Sequence, residues 1–467
     1  MNRKDRDQLQ QAIEKLTKAP LKPQQRLFTL RVILLPGLYH LLTLGNITLS
    51  RLKRIDTLTR AAIRRWLGLP HDTPNAYFHA NVKDGGLSIP SMKWLMPLHR
   101  RLRLSKFIKP NSPSSGYLRS ELQRTVRRLT ENRLDIDDAE KLNARWAKLL
   151  HSSNDGKGLR ESSNVPTQHL WIIEGNRFLS GKDFLNANEL RINALPTRTR
   201  TSHGRVADKS CRAGCRAGCN AMEMLNHILE QCHRTHKARI ERHNAIGSYL
   251  QRSLKSKSDS VEVEPNFKTS EGLRKPDFIA KLNSTALVVD VQVVSERVNL
   301  NVAYQSKCDK YKSWEEAIKG RYRTNYVTFT TATLNYRGVW SEKFANELVA
   351  LGILNKDETR ILGSDSYPLF HLQYSPTGFF RSHARYLYYR TTTMSVYAVS
   401  ALALFILAGK RDTTTPTYCI PRLASSVHSR VTSTIVQLPC PCALLMRLRQ
   451  PQSIFNTASR LTLRQRN

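Results

Sequence analysis

Apolar residues in the first part of the chain recur at helical spacing. Over residues 51 to 67, Ile55, Leu58, Ala62 and Trp66 lie three, four and four apart. Lys53, Arg54, Arg60, Arg64 and Arg65 occupy the other faces, which predicts an amphipathic helix. Gly68 and Pro70 end it. Asp84-Gly85-Gly86-Leu87-Ser88-Ile89-Pro90 reads as a turn, Leu95 to Lys109 as a second arginine-rich helix, and Asn111 to Gly116 as a linker. Tyr117 to Leu150 is helical again, and His151 to Gly158 is a loop. Up to about residue 200 the chain is helical and basic, a platform with a cationic face and no identifiable reaction chemistry.

The period changes further along. Leu287, Val289, Val291 and Val293 form one apolar strand face, which puts Val288, Asp290, Gln292 and Val294 on the other. Asp277 to Leu282 reads as a shorter strand, with Asn283-Ser284 as the turn. A hairpin pivoting there sets Asp277 directly opposite Asp290, with Cβ atoms about 4.5 to 5.5 Å apart. Tyr304, Lys307, Tyr311, Trp314 and Ile318 then recur at three, four, three and four, one face of a single helix packed on the sheet. Tyr326 to Leu334 is a β-branched and aromatic strand, and Ser341 opens a helix bearing Phe344, Leu348 and Leu351 before Gly352. Hairpin, helix, strand, helix makes a compact α/β layer with an acidic pair at one edge.

Charge narrows the partners. The 467 residues carry 74 Lys+Arg against 37 Asp+Glu, a formal net charge of +37 and a pI near 10.3. Such an imbalance calls for a polyanion, and nucleic acid is the expected partner. The start, Met1-Asn2-Arg3-Lys4-Asp5-Arg6, lacks the apolar core of a secretory signal, and the apolar stretch Val399 to Ala408 is too short for a bilayer. No membrane is expected. After Asp365 the one acidic residue is Asp412, and neither helical nor strand period persists, so no fold is assigned to the tail.

Cysteines cluster where a metal would suit them. Cys215-x3-Cys219-x7-His227-x4-Cys232 supplies three thiolates and one imidazole, a closed tetrahedral zinc shell and therefore a structural site. A tight turn would present Cys215 and Cys219, and a helix from about Met222 would offer His227 and Cys232. Cys211 competes for the first slot, since Cys211-x3-Cys215 has the same spacing; the compact loop favours Cys215 with Cys219. The basic run that follows, with Arg234, Lys237, Arg239 and Arg242, is a candidate phosphate-contacting surface, with a solvated face as the plain alternative.

Two opposed carboxylates repel each other unless a cation lies between them, and magnesium, a hard cation taking carboxylate, water and phosphate oxygens, fits Asp277 and Asp290. A lysine on the apolar face of the next helix is out of place in a core. Lys307 would orient or deprotonate the attacking water and neutralise developing charge; otherwise it snorkels from the rim.

A Pro-Asp, a second acid thirteen residues on and a following lysine resemble the restriction-like PD-(D/E)xK nuclease core, although Gln292 stands where the lysine of that motif usually lies and Lys307 would be its migrated substitute. The set Cys215-Arg216-Ala217-Gly218-Cys219, His227-Ile228, Cys232, Arg242-His243-Asn244, Lys275-Pro276-Asp277, Val289-Asp290, Lys307-x3-Tyr311 and Ala332-Thr333-Leu334-Asn335-Tyr336-Arg337-Gly338 is more specific. It resembles the carboxy-terminal part of the Pol polyprotein of R-two type (type-1) non-LTR retrotransposable elements, which insert into ribosomal DNA. Upstream, Arg64 to Pro70 and Asp84 to Pro90 resemble the thumb and linker after that family's polymerase palm. The likeness covers about residues 20 to 360 and fails in the tail.

The resemblance implies a multidomain α plus α/β chain. Its parts are a thumb-like helical region over 1–110, a basic helical linker over 111–204, a Cys-Cys-His-Cys zinc knuckle with a basic helix over 205–248, and a restriction-like endonuclease over 249–362. A tail follows over 363–467. It implies a nuclear protein that nicks double-stranded ribosomal DNA, binds its element RNA, and belongs to a parent that is also an RNA-directed DNA polymerase. Tyr311 joins Asp277, Asp290 and Lys307 as a catalytic residue by the same likeness. Asp137-Asp138 lies in a polar, helix-like segment, so the polymerase palm is expected to be absent. The rival expectation is a non-catalytic nucleic-acid-binding remnant of a defective element.

Overall fold

The computed structural model describes residues 3–353, apart from residues 46, 109–114, 132–137, 174–178, 213–220 and 270–271. The expected linker before residue 115, Asp137, Cys215, Cys219 and the tail from residue 354 therefore lie outside the described residues.

The first helices are α1 (Arg3–Lys18), α2 (Pro23–Thr29) and, after a π turn over Leu30–Leu34, α3 (Leu35–Leu44). Pro23–Leu44 is long and apolar enough to cross a membrane. Its leucines 27, 30, 34, 35 and 42 are nevertheless buried in the protein core, and Arg31 donates to Leu87 O at 3.3 Å, which is how a core helix behaves.

α4 (Leu49–Leu67) is the helix that the first apolar stripe predicts, with Ile55, Ala62, Ile63 and Trp66 buried. Leu58, assigned to the same stripe, is only half-buried, because Thr59 and Asp56 take the inward positions beside it. Asp56 is buried for a reason. Its carboxylate accepts from Ser91 Oγ at 2.6 Å, Met92 N at 2.7 Å and Lys93 N at 3.2 Å, capping the amino end of α6 (Met92–Phe107) from a distant helix. Between them lies α5 (Asn75–His79).

The segment expected to be a turn, Asp84 to Pro90, does turn at Gly85-Gly86 and then runs on as a buried strap against α5. Leu87 N and Ile89 N donate to Tyr77 O and Phe78 O at 2.9 and 2.8 Å. A Cβ at Gly86 would lie 2.2 Å from Ala80 O, so only glycine permits that approach.

The helical region continues with α7 (Ser115–Glu131), α8 (Ala139–Ser152), α9 (Gly181–Arg191) and the short α10 (Arg198–Thr201). Glu189 on α9 is half-buried, and burial pushes its carboxyl up to about 7 from its ordinary 4.5. Neutral Glu189 costs the fold nothing below the unfolded value, and that stability is lost as pH rises through about 7. Glu189→Gln should thus leave Tm unchanged at pH 5 and raise it at pH 8. After discounting for the solvent-facing side, the gain is on the order of 1 kcal/mol, or a few degrees. Equal Tm values for the two proteins at pH 8 would rule this out.

After the cysteine region, α11 (His236–Lys255) leads into a four-stranded sheet of order β1-β4-β5-β6. β1 (Ser260–Val263), β4 (Phe278–Leu282) and β5 (Thr285–Val294) are antiparallel, and β6 (Tyr326–Asn335) runs parallel to β5. α12 (Leu300–Lys312) and α13 (Glu315–Tyr322) make the crossover, and α14 (Glu342–Ala350) packs on β6 and α12.

β5 is buried on both faces. Leu287, Val289 and Val291 join a core with Ile246, Leu250 and Leu254 of α11, whereas Ala286 and Val288 join a second cluster with Tyr311, Trp314 and Ile318. The expected single helix over Tyr304 to Ile318 breaks at Ser313-Trp314. Trp314 turns inward there, stacking on Phe267 with ring centroids 6.2 Å apart and meeting Tyr311 edge-on at 4.8 Å. β1 and the hairpin of β2 (Phe267–Thr269) and β3 (Gly272–Arg274), just ahead of Asp277, are further elements.

Arg337, 1% exposed, joins sheet to helices. It pairs with Glu296 at 2.5 Å and donates to the carbonyls of Asp155 and Arg191 at 2.7 and 3.0 Å. Asn335 Nδ2 donates to Gly158 O at 2.8 Å beside it.

Candidate functional site

The β4–β5 hairpin turns at Asn283-Ser284 with Leu282 paired to Thr285 and Phe278 to Val289. The next step of that register sets Asp277 against Asp290, and Val291 N–H bridges them, donating to Asp277 Oδ2 at 2.7 Å and Asp290 Oδ1 at 3.0 Å. Burial, and then the neighbouring Asp277 carboxylate, raise the pKa of Asp290. Burial also pushes Asp277 up, but hydrogen bonds from His243, Asp290 and Val291 N–H outweigh it and leave Asp277 lowered. Each carboxylate of the pair thus opposes the ionisation of the other.

α12 brings two further groups to Asp290 Oδ2: Lys307 Nζ at 2.9 Å and the Tyr311 hydroxyl at 2.5 Å. Burial and the Asp290 charge push the Tyr311 phenol far above its ordinary value, so it stays a neutral donor. Gln292, the departure from the nuclease motif, donates to Ala303 O at 3.0 Å and Thr333 Oγ1 at 2.6 Å. It therefore ties β5 to α12 one turn before Lys307, and the helix supplies the ammonium that the strand lacks.

His243 completes the group and was not among the expected site residues. From α11 its Nε2 donates to Asp277 Oδ2 at 3.3 Å, and that bond raises the imidazole pKa against the opposing effect of burial. The sequence signal was its place in Arg242-His243-Asn244, but nothing in the spacing ties that helix to Asp277.

In the cysteine region, Ser210 pairs with Met222 and Cys211 N donates to Ala221 O at 3.1 Å, closing the base of a loop. Cys211 sits at that base. Leu225 onward turns through a π segment, His227–Gln231, and Cys232 N returns to His227 O at 2.8 Å. The ligand atoms of Cys211, His227 and Cys232 lie within 4.8 Å of one another, all three residues buried. The preferred Cys215 and Cys219 lie outside the described residues, and the group brought together among the described ones contains Cys211, the competing candidate. The sulfurs of Cys211 and Cys232 are 3.8 Å apart. That is too long for a disulfide and equals the separation of about 3.8 Å that two Zn–S bonds of ~2.3 Å subtend at a tetrahedral angle.

The basic run divides. Arg234 and Lys237 are exposed, while Arg239 is half-buried and donates to Cys232 O at 3.0 Å. Arg242 departs from its expected place on a phosphate-contacting surface: it is buried, its Nη2 reaches Leu229 O at 3.4 Å, and burial lowers its pKa to about 10. It anchors α11 to the cysteine region.

No protein-family model matches the chain. The "Retrovirus-related Pol polyprotein from type-2 retrotransposable element R2DM" of Drosophila melanogaster is 40% identical over 358 residues, 75% of this chain and 34% of that protein. The "Retrovirus-related Pol polyprotein from type-1 retrotransposable element R2" of Nasonia vitripennis is 33% identical over 340 residues, 71% of this chain and 32% of that protein. One from Popillia japonica is 31% identical over 344 residues, 72% of this chain and 70% of that protein. The chain spans about a third of the length of the first two relatives.

Proposed function

This chain belongs to the family of Pol polyproteins of R2 retrotransposable elements, and on that premise we propose that it is their metal-dependent, DNA-nicking portion. The observation that carries the reading is the meeting of Asp277, Asp290, Lys307 and Tyr311 where the two middle strands, β4 and β5, face α12. Two carboxylates that face each other across one hairpin and oppose each other's ionisation are a site a divalent cation suits, and Asp277 and Asp290 would hold magnesium. The ion, when bound, supplies charge neutralisation at the scissile phosphate. Lys307 adds a positive charge there and orients the attacking water through its N–H donors. Tyr311 keeps Asp290 in one orientation through its hydroxyl.

The sheet with its crossover helices suits a restriction-like nuclease core. Zinc fits Cys211, His227 and Cys232 by donor type and sulfur separation, with Cys215 or Cys219 as the fourth ligand, a closed and therefore structural shell. The partners in this reading are double-stranded ribosomal DNA and the element RNA, and the place of action is the nucleus. The freed 3′ end would prime reverse transcription by the parent polyprotein.

The test is conversion of supercoiled plasmid to open circles with magnesium and not with EDTA. Failure to nick under any divalent cation would favour the non-catalytic remnant. Independently of cleavage, the net charge of +37 predicts duplex affinity that falls at least tenfold between 50 and 200 mM salt, on the order expected even for a few phosphate contacts, as read by fluorescence anisotropy. A flat salt response would count against a phosphate-tracking surface.

A further inference from the structure

We propose that His243 is a positioning residue of the carboxylate site, holding Asp277 in the orientation from which it takes a divalent cation. The inference rests on the nuclease reading above and adds a role to a helix outside the strand–helix motif that carries it.

The placement of His243 follows from how α11 meets the sheet. Four residues along the helix, a Cβ at Gly247 would lie 3.1 Å from Phe278 Cζ, and Phe278 directly follows Asp277. The glycine lets the helix press on the start of β4, and one turn back the imidazole reaches the carboxylate. Buried Arg242, beside His243, anchors the same helix to the cysteine region through Leu229 O. Helix rotation is thus set at both ends of the turn that carries the ring.

The contact itself is directional. His243 Nε2 at 3.3 Å and Val291 N at 2.7 Å both address Asp277 Oδ2. Two donors on one oxygen fix the carboxylate plane and leave Oδ1 as the oxygen that neither uses. The other ring nitrogen, Nδ1, lies 3.3 Å from Asn244 Oδ1, so the imidazole is oriented in turn. The side chain is 38% exposed, so packing does not force this arrangement. Asp290 is held separately, by Lys307 and Tyr311 from α12. Each carboxylate of the pair is gripped by its own helix, and hydrogen bonds of this kind to a ligating group typically govern metal affinity.

The experiment compares the parent chain with His243→Ala, His243→Gln and Asp277→Asn. Manganese affinity is measured by calorimetry without DNA, and nicking is titrated with magnesium. His243→Ala should weaken manganese binding and raise the half-saturating magnesium concentration by about tenfold or more, with the rate at saturating magnesium recovering to near the parental value. His243→Gln, whose amide still donates, should lie closer to the parent, and zinc content should not change in either variant. Parental metal affinity in His243→Ala, or a His243→Gln no better than His243→Ala, overturns the proposal. If His243→Ala fails to fold, His243→Gln decides by the same two titrations: parental values support the role, and a loss as large as that of Asp277→Asn overturns it. If Asp277→Asn itself binds manganese like the parent, the nuclease reading falls as well, so the two failures are distinguishable.

Discussion

Asp290→Asn should lower magnesium-dependent nicking by about two to three orders of magnitude or more, while DNA binding stays within about twofold of the parent or tightens slightly. The expectation comes from the separate demands on this side chain. The amide oxygen would still accept from Tyr311 or from Val291 N–H, and Val291 N–H keeps its bond to Asp277, so the hairpin holds its register. The amide offers no anion to a cation, however, and no ionic partner to Lys307. Folding should not suffer, because the substitution removes one of two buried carboxyls that oppose each other. Asp277→Asn should behave alike, and Lys307→Ala should suppress cleavage with a modest loss of binding. Plasmid nicking and fluorescence anisotropy on the same preparations separate the two effects. Parental nicking by Asp290→Asn would remove the catalytic reading of all four residues.

Removing zinc should release the cysteine region and disturb the carboxylate site with it. Structural zinc contributes on the order of 10 kcal/mol to small domains that lack another core. Here Arg239 donates to Cys232 O, and Arg242 reaches Leu229 O, so the start of α11 rests on the metal loop. Chelation, Cys211→Ser or Cys232→Ser should each expose residues 205–245 to protease and lower nicking. Of Cys215→Ser and Cys219→Ser, one should match that loss and the other should be near neutral, which identifies the fourth ligand. A metal analysis without zinc, together with unchanged protease protection in Cys232→Ser, would sink the assignment.

The β4–β5 hairpin was legible because its signals are local. A turn at Asn283-Ser284 fixes the register, and a one-residue slip would have turned Asp290 to the other face. The amphipathic α4 was legible for a similar reason, since its apolar residues repeat over five turns. What escaped depends on distant partners. β1 to β3 are three or four residues long, too short for even the Val261-Glu262-Val263 alternation of β1 to stand out. The Gly85-Gly86 strap is buried because α5 receives it, and the helix break at Trp314 exists because Phe267 does. His243 and Asp277 are 34 residues apart, and the packing of α11 on the sheet, with Gly247 against Phe278, brings them together. The approach of Cys211 to His227 and Cys232 was hidden likewise, since it depends on the bridge from Ser210 to Met222.

The Arg337 clasp bears on where this protein can be cut. Its guanidinium finds its acceptors on Asp155 and Arg191 and its counter-charge on Glu296, three segments that a boundary at residue 249 would distribute between two pieces. Excision there would keep Arg337 and Glu296 together on one piece but take from the buried guanidinium its two carbonyl acceptors and orphan those carbonyls on the other, the penalty that follows leaving buried polar groups unpaired. The sheet therefore inherits its footing from the helices before it, and a transplanted sheet would need residues 155–191 to travel along.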